Sequence, residues 1–202
     1  MKTEIIISGH GGQGVLELAN NISYFQLLKG RHVAYTPSYG PESRGGKVKC
    51  YVVASDEEIL SPLVEEPDCL IVMNTPSMDY VPLLRQGGIL LMNSSLIPED
   101  PARKDVHAFK IPATELADAL KSDVTFSHVS DTRISANAVM FGAYLVVAGE
   151  SSLEECLSTV KEVFSHFLVD RKAQYIPLNL RAVRDGFVCA EAVLSPNATI
   201  NS

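Results

Sequence analysis

A chain of 202 residues, 46% of them hydrophobic, can bury one sizeable core, and its 24 acidic against 17 basic side chains, a net charge of −7, exclude a generic electrostatic attraction to nucleic acid or anionic lipid. Cys50, Cys69, Cys156 and Cys189 stand far apart, with none of the short spacings that hold zinc or an iron–sulfur cluster, so no metal site is expected in this chain. Residues 1–4 run straight into an apolar stretch with no cleavage-like segment, and the longest uncharged segment, residues 134–149, falls short of a bilayer at ~1.5 Å rise per residue; a reduced, cytoplasmic protein without membrane contact is expected.

In chain order, residues 4–8 read as a buried strand and residues 15–28 as the helix that follows, with Val15, Leu18, Ile22 and Phe25 on one stripe and Gly30 ending it. Residues 32–36 form a short strand stopped by Pro37, and residues 48–54 a third, rich in β-branched side chains. Acidic Asp56, Glu57 and Glu58 open a helical turn that ends near Pro62. Residues 69–73 and 88–92 are continuous apolar runs, as strands covered on both faces require, separated by a segment whose Pro76 and Pro82 limit any helix. Residues 106–111 suggest a strand nearer an edge.

From there the pattern is helical, over residues 113–120, 134–148, 153–168 and 178–192. Ala136, Ala138, Gly142, Ala143 and Ala148 make the second of these a central helix packed closely against a sheet or a partner. The third is amphipathic, with Leu153, Cys156, Leu157, Val160, Val163, Phe164 and Phe167 inward and Glu154, Glu155, Lys161 and Glu162 outward. The alternation predicts an α/β fold: a three-layer, mostly parallel sheet with helices on both faces and a Rossmann-like first βα unit. Residues 1–194 read as a single domain and residues 195–202 as a flexible tail.

Two loops carry the functional signal. Gly9, His10, Gly11, Gly12, Gln13 and Gly14 lie between a predicted strand and helix, where backbone N–H groups and peptide dipoles favour a phosphate. A dinucleotide fold places an acid about 20 residues further on to hold the ribose, but the second strand ends Ala34-Tyr35-Thr36-Pro37 without one. An ordinary nicotinamide-dependent dehydrogenase is therefore disfavoured, and a phosphate on some other molecule preferred. The second loop, residues 39–46, holds Tyr39, Glu42 and Arg44 beside Gly45 and Gly46; Arg44 could clasp a phosphate or carboxylate in two-pronged fashion with Glu42 orienting it, or the pair could merely staple a turn. Ser127, His128 and Asp131 have the residue types of a hydrolase triad, yet adjacency does not make one, and Ser130 or Asp131 is expected to cap the next helix. Of the histidines, His10 is the one singled out for test.

These loops, followed by Ser55-Asp56-Glu57-Glu58-Ile59 and Ser61-Pro62, then Pro67-Asp68, Asn74, Pro76-Ser77, Asn137 with Gly142, and Asn179 with Gly186, resemble the gamma subunit of 2-oxoacid:ferredoxin oxidoreductases over nearly the whole chain. The residues leading into the second loop look more like the 2-oxoglutarate or branched-chain (2-oxoisovalerate) enzymes than the pyruvate ones. The resemblance implies an assembly that oxidatively decarboxylates a 2-oxoacid to an acyl-coenzyme A and reduces ferredoxin. It places thiamine diphosphate, magnesium and iron–sulfur clusters in partner alpha and beta, and in some assemblies delta, subunits. This chain would be inactive alone, where it could pair as a homodimer. Its cofactor-facing candidates are Gly9 to Gly14, Tyr39, Glu42, Arg44, Gly45 and Gly46, at an intersubunit cleft for coenzyme A. A purely structural subunit and a free-standing nucleotide-dependent oxidoreductase are the alternatives.

Overall fold

The computed structural model describes residues 1–39, 46–150 and 152–194; the expected tail at 195–202 lies outside them. Six strands form one sheet, β1 (Lys2–His10), β2 (His32–Tyr39), β3 (Lys47–Ser55), β4 (Cys69–Val72), β5 (Ile89–Asn93) and β6 (His107–Ile111), in the order β2-β3-β1-β4-β5-β6. The helices are α1 (Val15–Leu28), α2 (Ala113–Ala119), α3 (Ala136–Val147), α4 (Leu153–Phe167) and α5 (Ile176–Leu194). Strand β3 is antiparallel to both its neighbours, whereas β1, β4, β5 and β6 pair parallel, so the sheet is mixed but mostly parallel.

The first βα unit is present as strand, glycine turn and helix, but its continuation differs from a Rossmann unit. There the strand after the helix lies beside the first; here β3 inserts between β1 and β2, zipped to β1 along its whole length from Lys2↔Ser55 to His10↔Lys47. The β-branched run that predicted β3 also supplies Val52 and Val53 to the core at 0% exposure, which makes this inner position favourable.

Helical cover is unequal on the two faces. Ile5, Ile7, Cys50, Val52, Ile71 and Leu91 point toward a large core shared with the α-helices, while Ile6, Leu70, Val72, Leu90 and Met92 point to a smaller one closed by Val81 and Leu84, at the end of the 3-10 helix Thr75–Leu83. Pro76 and Pro82 keep that helix in the tighter form, as a missing N–H and a fixed φ demand. At Asp56-Glu57-Glu58 the expected helical turn is absent. The Met1 carbonyl accepts the Asp56 N–H at 3.1 Å and the Ser55 hydroxyl the Glu57 N–H at 3.1 Å, so the backbone is satisfied without a helix too short to nucleate.

Helix α3 is buried on every side, and its small residues find their reason in α5. A Cβ on Gly142 would lie 2.8 Å from the Val183 carbonyl carbon, and one on Gly186 2.7 Å from that of Val139, so the two backbones touch at a pair of facing glycines. Helix α5 begins slightly earlier than the periodicity indicates, with Pro177 in its first turn, where proline costs no hydrogen bond. Among the described residues no helix is long and apolar enough to cross a membrane.

Candidate functional site

The carboxyl ends of β1 and β4 lie side by side, and the chain leaves them in opposite directions, to α1 on one face and to the 3-10 helix Thr75–Leu83 on the other. Such a switch point opens a crevice where α/β folds take ligands. The glycine turn sits there. Gly12 (φ 96°) and Gly14 (φ 70°) adopt left-handed backbone that other residues resist, and Gly14 begins α1 without any side-chain cap. At Gly9 space is the constraint instead, since a Cβ would come within 2.9 Å of Val15, Gln13 and Met73.

Gln13 turns inward. Its Oε1 accepts from the His10 N–H and from Asn74 Nδ2, both at 2.7 Å, and Asn74 in turn accepts from the Ser77 hydroxyl at 2.8 Å, beside Ser8. This chain of polar groups, half-buried at Gln13 and buried at Asn74 and Ser77, fixes the turn to the end of β4 and leaves Gly11 and Gly12 exposed. The Gly11 N–H donates to the Gly46 carbonyl at 3.2 Å, which ties the glycine turn to the last residue of the second loop. Tyr39 ends β2 beside this point; Glu42, Arg44 and Gly45, with the rest of residues 40–45, lie outside the described residues.

On the helical side of the turn is an open cavity of about 450 Å³ lined by His10, Gly11, Gly12 and Gly14, by Glu17 of α1, by Asn137 of α3, and by Lys172, Tyr175 and Asn179. Sequence reasoning missed Glu17, Lys172 and Tyr175 and met Asn137 and Asn179 only through resemblance. A physical signal was present at Asn137: an amide opening an otherwise apolar helix, 5% exposed, is costly to bury without a task. Its Nδ2 donates to Glu17 Oε2 at 2.9 Å and to the Gly14 carbonyl at 3.4 Å, binding α3 to the first turn of α1. Lys172 stands on the 3-10 helix Asp170–Tyr175 and brings a cation to a wall whose acid is Glu17. Anion-ready backbone and an ammonium group thus share one cavity.

Of the hydrolase-triad residue types, Asp131 does another job. Asp131 accepts from the Arg133 N–H at 3.1 Å and from Arg133 Nε at 2.9 Å, so it caps the 3-10 helix Thr132–Ser135; Ser130 is not the cap. The described residues contain no group of three or more His, Cys, Asp or Glu able to hold a metal. Burial pushes the Cys50 thiol up to about 11, Cys69 up to about 12 and Cys156 up to about 11, the last two also beside carboxylates. At pH 8 a thiol of pKa 11 is ionised on the order of once in a thousand. Iodoacetamide at that pH, followed by peptide mapping, should leave these three unmodified in the native protein and label them once urea unfolds it; labelling of Cys50 at the rate of a free thiol would contradict its burial.

The family model described as pyruvate ferredoxin/flavodoxin oxidoreductase matches residues 4–189. Among relatives, the chain is 33% identical over 186 residues to ketoisovalerate oxidoreductase subunit VorA of Methanothermobacter thermautotrophicus, covering 92% of this chain but 36% of that protein. It thus spans about a third of the length of that relative. It is 35% identical over 169 residues to 2-oxoglutarate synthase subunit KorC of Methanothermobacter marburgensis, covering 80% of this chain and 86% of that one. The crystal structure of the keto/oxoacid ferredoxin oxidoreductase gamma subunit from Geobacter sulfurreducens superposes with a TM-score of 0.75 at 27% identity, over 95% of this chain and 98% of that one.

Proposed function

The chain belongs to the pyruvate ferredoxin/flavodoxin oxidoreductase family, and from that premise we propose that it serves as the gamma-type unit, one domain over residues 1–194, of a cytoplasmic complex that converts a 2-oxoacid and coenzyme A to an acyl-coenzyme A and carbon dioxide. A pair of electrons passes to ferredoxin and a proton is released. Both 2-oxoglutarate and 2-oxoisovalerate suit the relatives' names. Thiamine diphosphate, magnesium and the iron–sulfur clusters are assigned to alpha, beta and delta partners. Coenzyme A supplies the thiol that takes up the acyl group.

The contribution of this chain is to hold the carrier. What supports the reading is the Gly11–Gly46 hydrogen bond, which ties the glycine turn, itself a wall of the cavity, to the last residue of the second loop. The uncapped first turn of α1 offers N–H groups to a diphosphate, and the exposed glycines let it approach. Lys172 offsets the anion and balances Glu17, whose carboxylate is already engaged by Asn137. Arg44 and Glu42 of the second loop complete this site in the proposal, Arg44 pairing a phosphate or supporting the partner's cofactor pocket.

Lys172→Ala in the purified complex tests it. A charge-assisted hydrogen bond contributes roughly 1.5–3 kcal/mol, so the KM for coenzyme A should rise about ten-fold or more while the KM for the 2-oxoacid stays put. An unchanged KM for coenzyme A, with assembly and turnover intact, would leave the cleft a structural joint only.

A further inference from the structure

The main cavity continues into a second lobe of about 210 Å³ between α1, the start of α3 and the end of α4, lined by Asn20, Asn21, Phe164, Phe167 and Ala138. Glu17, Asn137, Leu168, Lys172 and Asn179 line both spaces, so they form one branched cleft. The lobe is unusual in its amides. Asn21 is 7% exposed, and none of the hydrogen bonds or ion pairs of the described residues involves its side chain. A carboxamide carries donors and an acceptor; those of Asn21 are not among the fully buried atoms that lack a hydrogen-bond partner, Ser23 Oγ and Arg31 Nε, so they stay open to solvent where the residue lines the lobe. An amide bound to no other protein group and lining the lobe can take the donor and acceptor of a ligand there. Asn179 accepts from the Ser135 hydroxyl at 2.8 Å through Oδ1, which leaves its NH₂ end for the cleft.

The apolar part has a shape of its own. Phe167 continues the inward stripe of α4 in sequence, yet it is 38% exposed at the mouth of the lobe, edge-on to Tyr24 and to His166, which stack on each other at 4.2 Å. Drug-sized ligands occupy ~300–1,000 Å³; a 210 Å³ lobe admits one ring system. A flat ring with adjacent donor and acceptor, uncharged, satisfies Asn21 in two-pronged fashion and lies against an aromatic edge. Adenine meets that description through its N6 amino group and N7, the pairing by which asparagine reads it elsewhere.

We propose that this lobe is an adenine-base site, with Asn21 as its reading residue and Phe167 as its aromatic wall. It deepens the coenzyme A reading and rests on it in one respect: the base lodges in the side lobe while the diphosphate reaches the glycine turn. The same chemistry would also accept a free adenine nucleotide acting as an effector.

The test uses adenosine, which has a base but no phosphate or thiol arm, in equilibrium dialysis against the purified complex. Saturable binding displaced by coenzyme A is expected, weakened about ten-fold or more by Asn21→Leu and about five-fold by Phe167→Ala. Asn21→Leu should keep the Tm, because the side chain makes no hydrogen bond within the protein that the substitution would break, so lost binding cannot be ascribed to misfolding. Displacement by AMP but not by coenzyme A would assign the site to an effector and overturn the shared-carrier version. Absence of saturable binding to the wild-type complex, or equal affinity in Asn21→Leu, would overturn the site itself. Adenosine carries no phosphate, so its binding to the wild-type complex and its loss in Asn21→Leu test the lobe, whereas the KM for coenzyme A in Lys172→Ala tests the carrier reading; failure of one is distinguishable from failure of the other.

Discussion

Gly186→Ala is expected to destabilise the fold by about 3 kcal/mol or more, at the upper end of overpacking costs, and Gly142→Ala to do the same. The sign is what makes this informative. In the interior of an ordinary helix, alanine is more favourable than glycine by ~0.8–1.0 kcal/mol. Here the new methyl group on Gly186 would sit 2.7 Å from the Val139 carbonyl carbon, and that on Gly142 2.8 Å from the Val183 carbonyl carbon; both obstacles are backbone, which no rotamer change can move aside. Relief requires α3 and α5 to separate, and α3 is buried on all sides, so separation opens voids along Val139, Ala143, Val183 and Phe187. At ~2–4 °C per kcal/mol for a chain of this size, the Tm should fall by roughly 6–12 °C. An alanine variant as stable as the parent would mean that these helices do not cross at their glycines.

The same pair shows what a sequence can and cannot disclose. The small residues of 134–148 announced a close approach, but composition cannot name the neighbour; the partner surface is α5, some 40 residues on, and only the fold brings Gly186 to Gly142. Strands were legible because continuous apolar runs of this kind have few other uses, and β4 and β5 lie in the middle of the sheet with both faces covered. The order of β1, β3 and β2 was not, since a β-branched run states that a strand exists and not which edge it joins. At the site, the glycine turn was legible from its position after a strand. Lys172 and Tyr175 were not: they stand on a polar 3-10 segment without periodicity and reach the cavity only because α4 and α5 deliver them there. Asn21 was not singled out in the sequence, since a place in a cavity wall is a property of the neighbours that the fold brings to it.

Gly14→Ala should produce the largest effect at the site, and a second substitution can apportion its cause. Gly14 holds φ 70°, ψ 25°, a conformation that costs an L side chain ~1–2 kcal/mol. Its new Cβ would also stand 2.8 Å from Cγ of Asn137, a side chain anchored by Glu17 Oε2 at 2.9 Å and by the Ala138 N–H at 2.8 Å, and therefore slow to yield. Strain and clash together should cost about 3 kcal/mol, adding a contact term of ~1–3 kcal/mol to the backbone term. They should also swing the first turn of α1 away from the cavity, raising the KM for coenzyme A alongside that cost. Asn137→Ala alone loses the bonds to Glu17 and Gly14 and should cost about 1 kcal/mol. In the double variant the amide is gone, but the Cβ of residue 137 remains 3.0 Å from the added methyl, so rescue is partial: the double should be more stable than the sum of the singles predicts by roughly 1 kcal/mol. Strict additivity would trace the whole penalty to the left-handed backbone, and then the asparagine that opens α3 does not fix the position of the glycine turn.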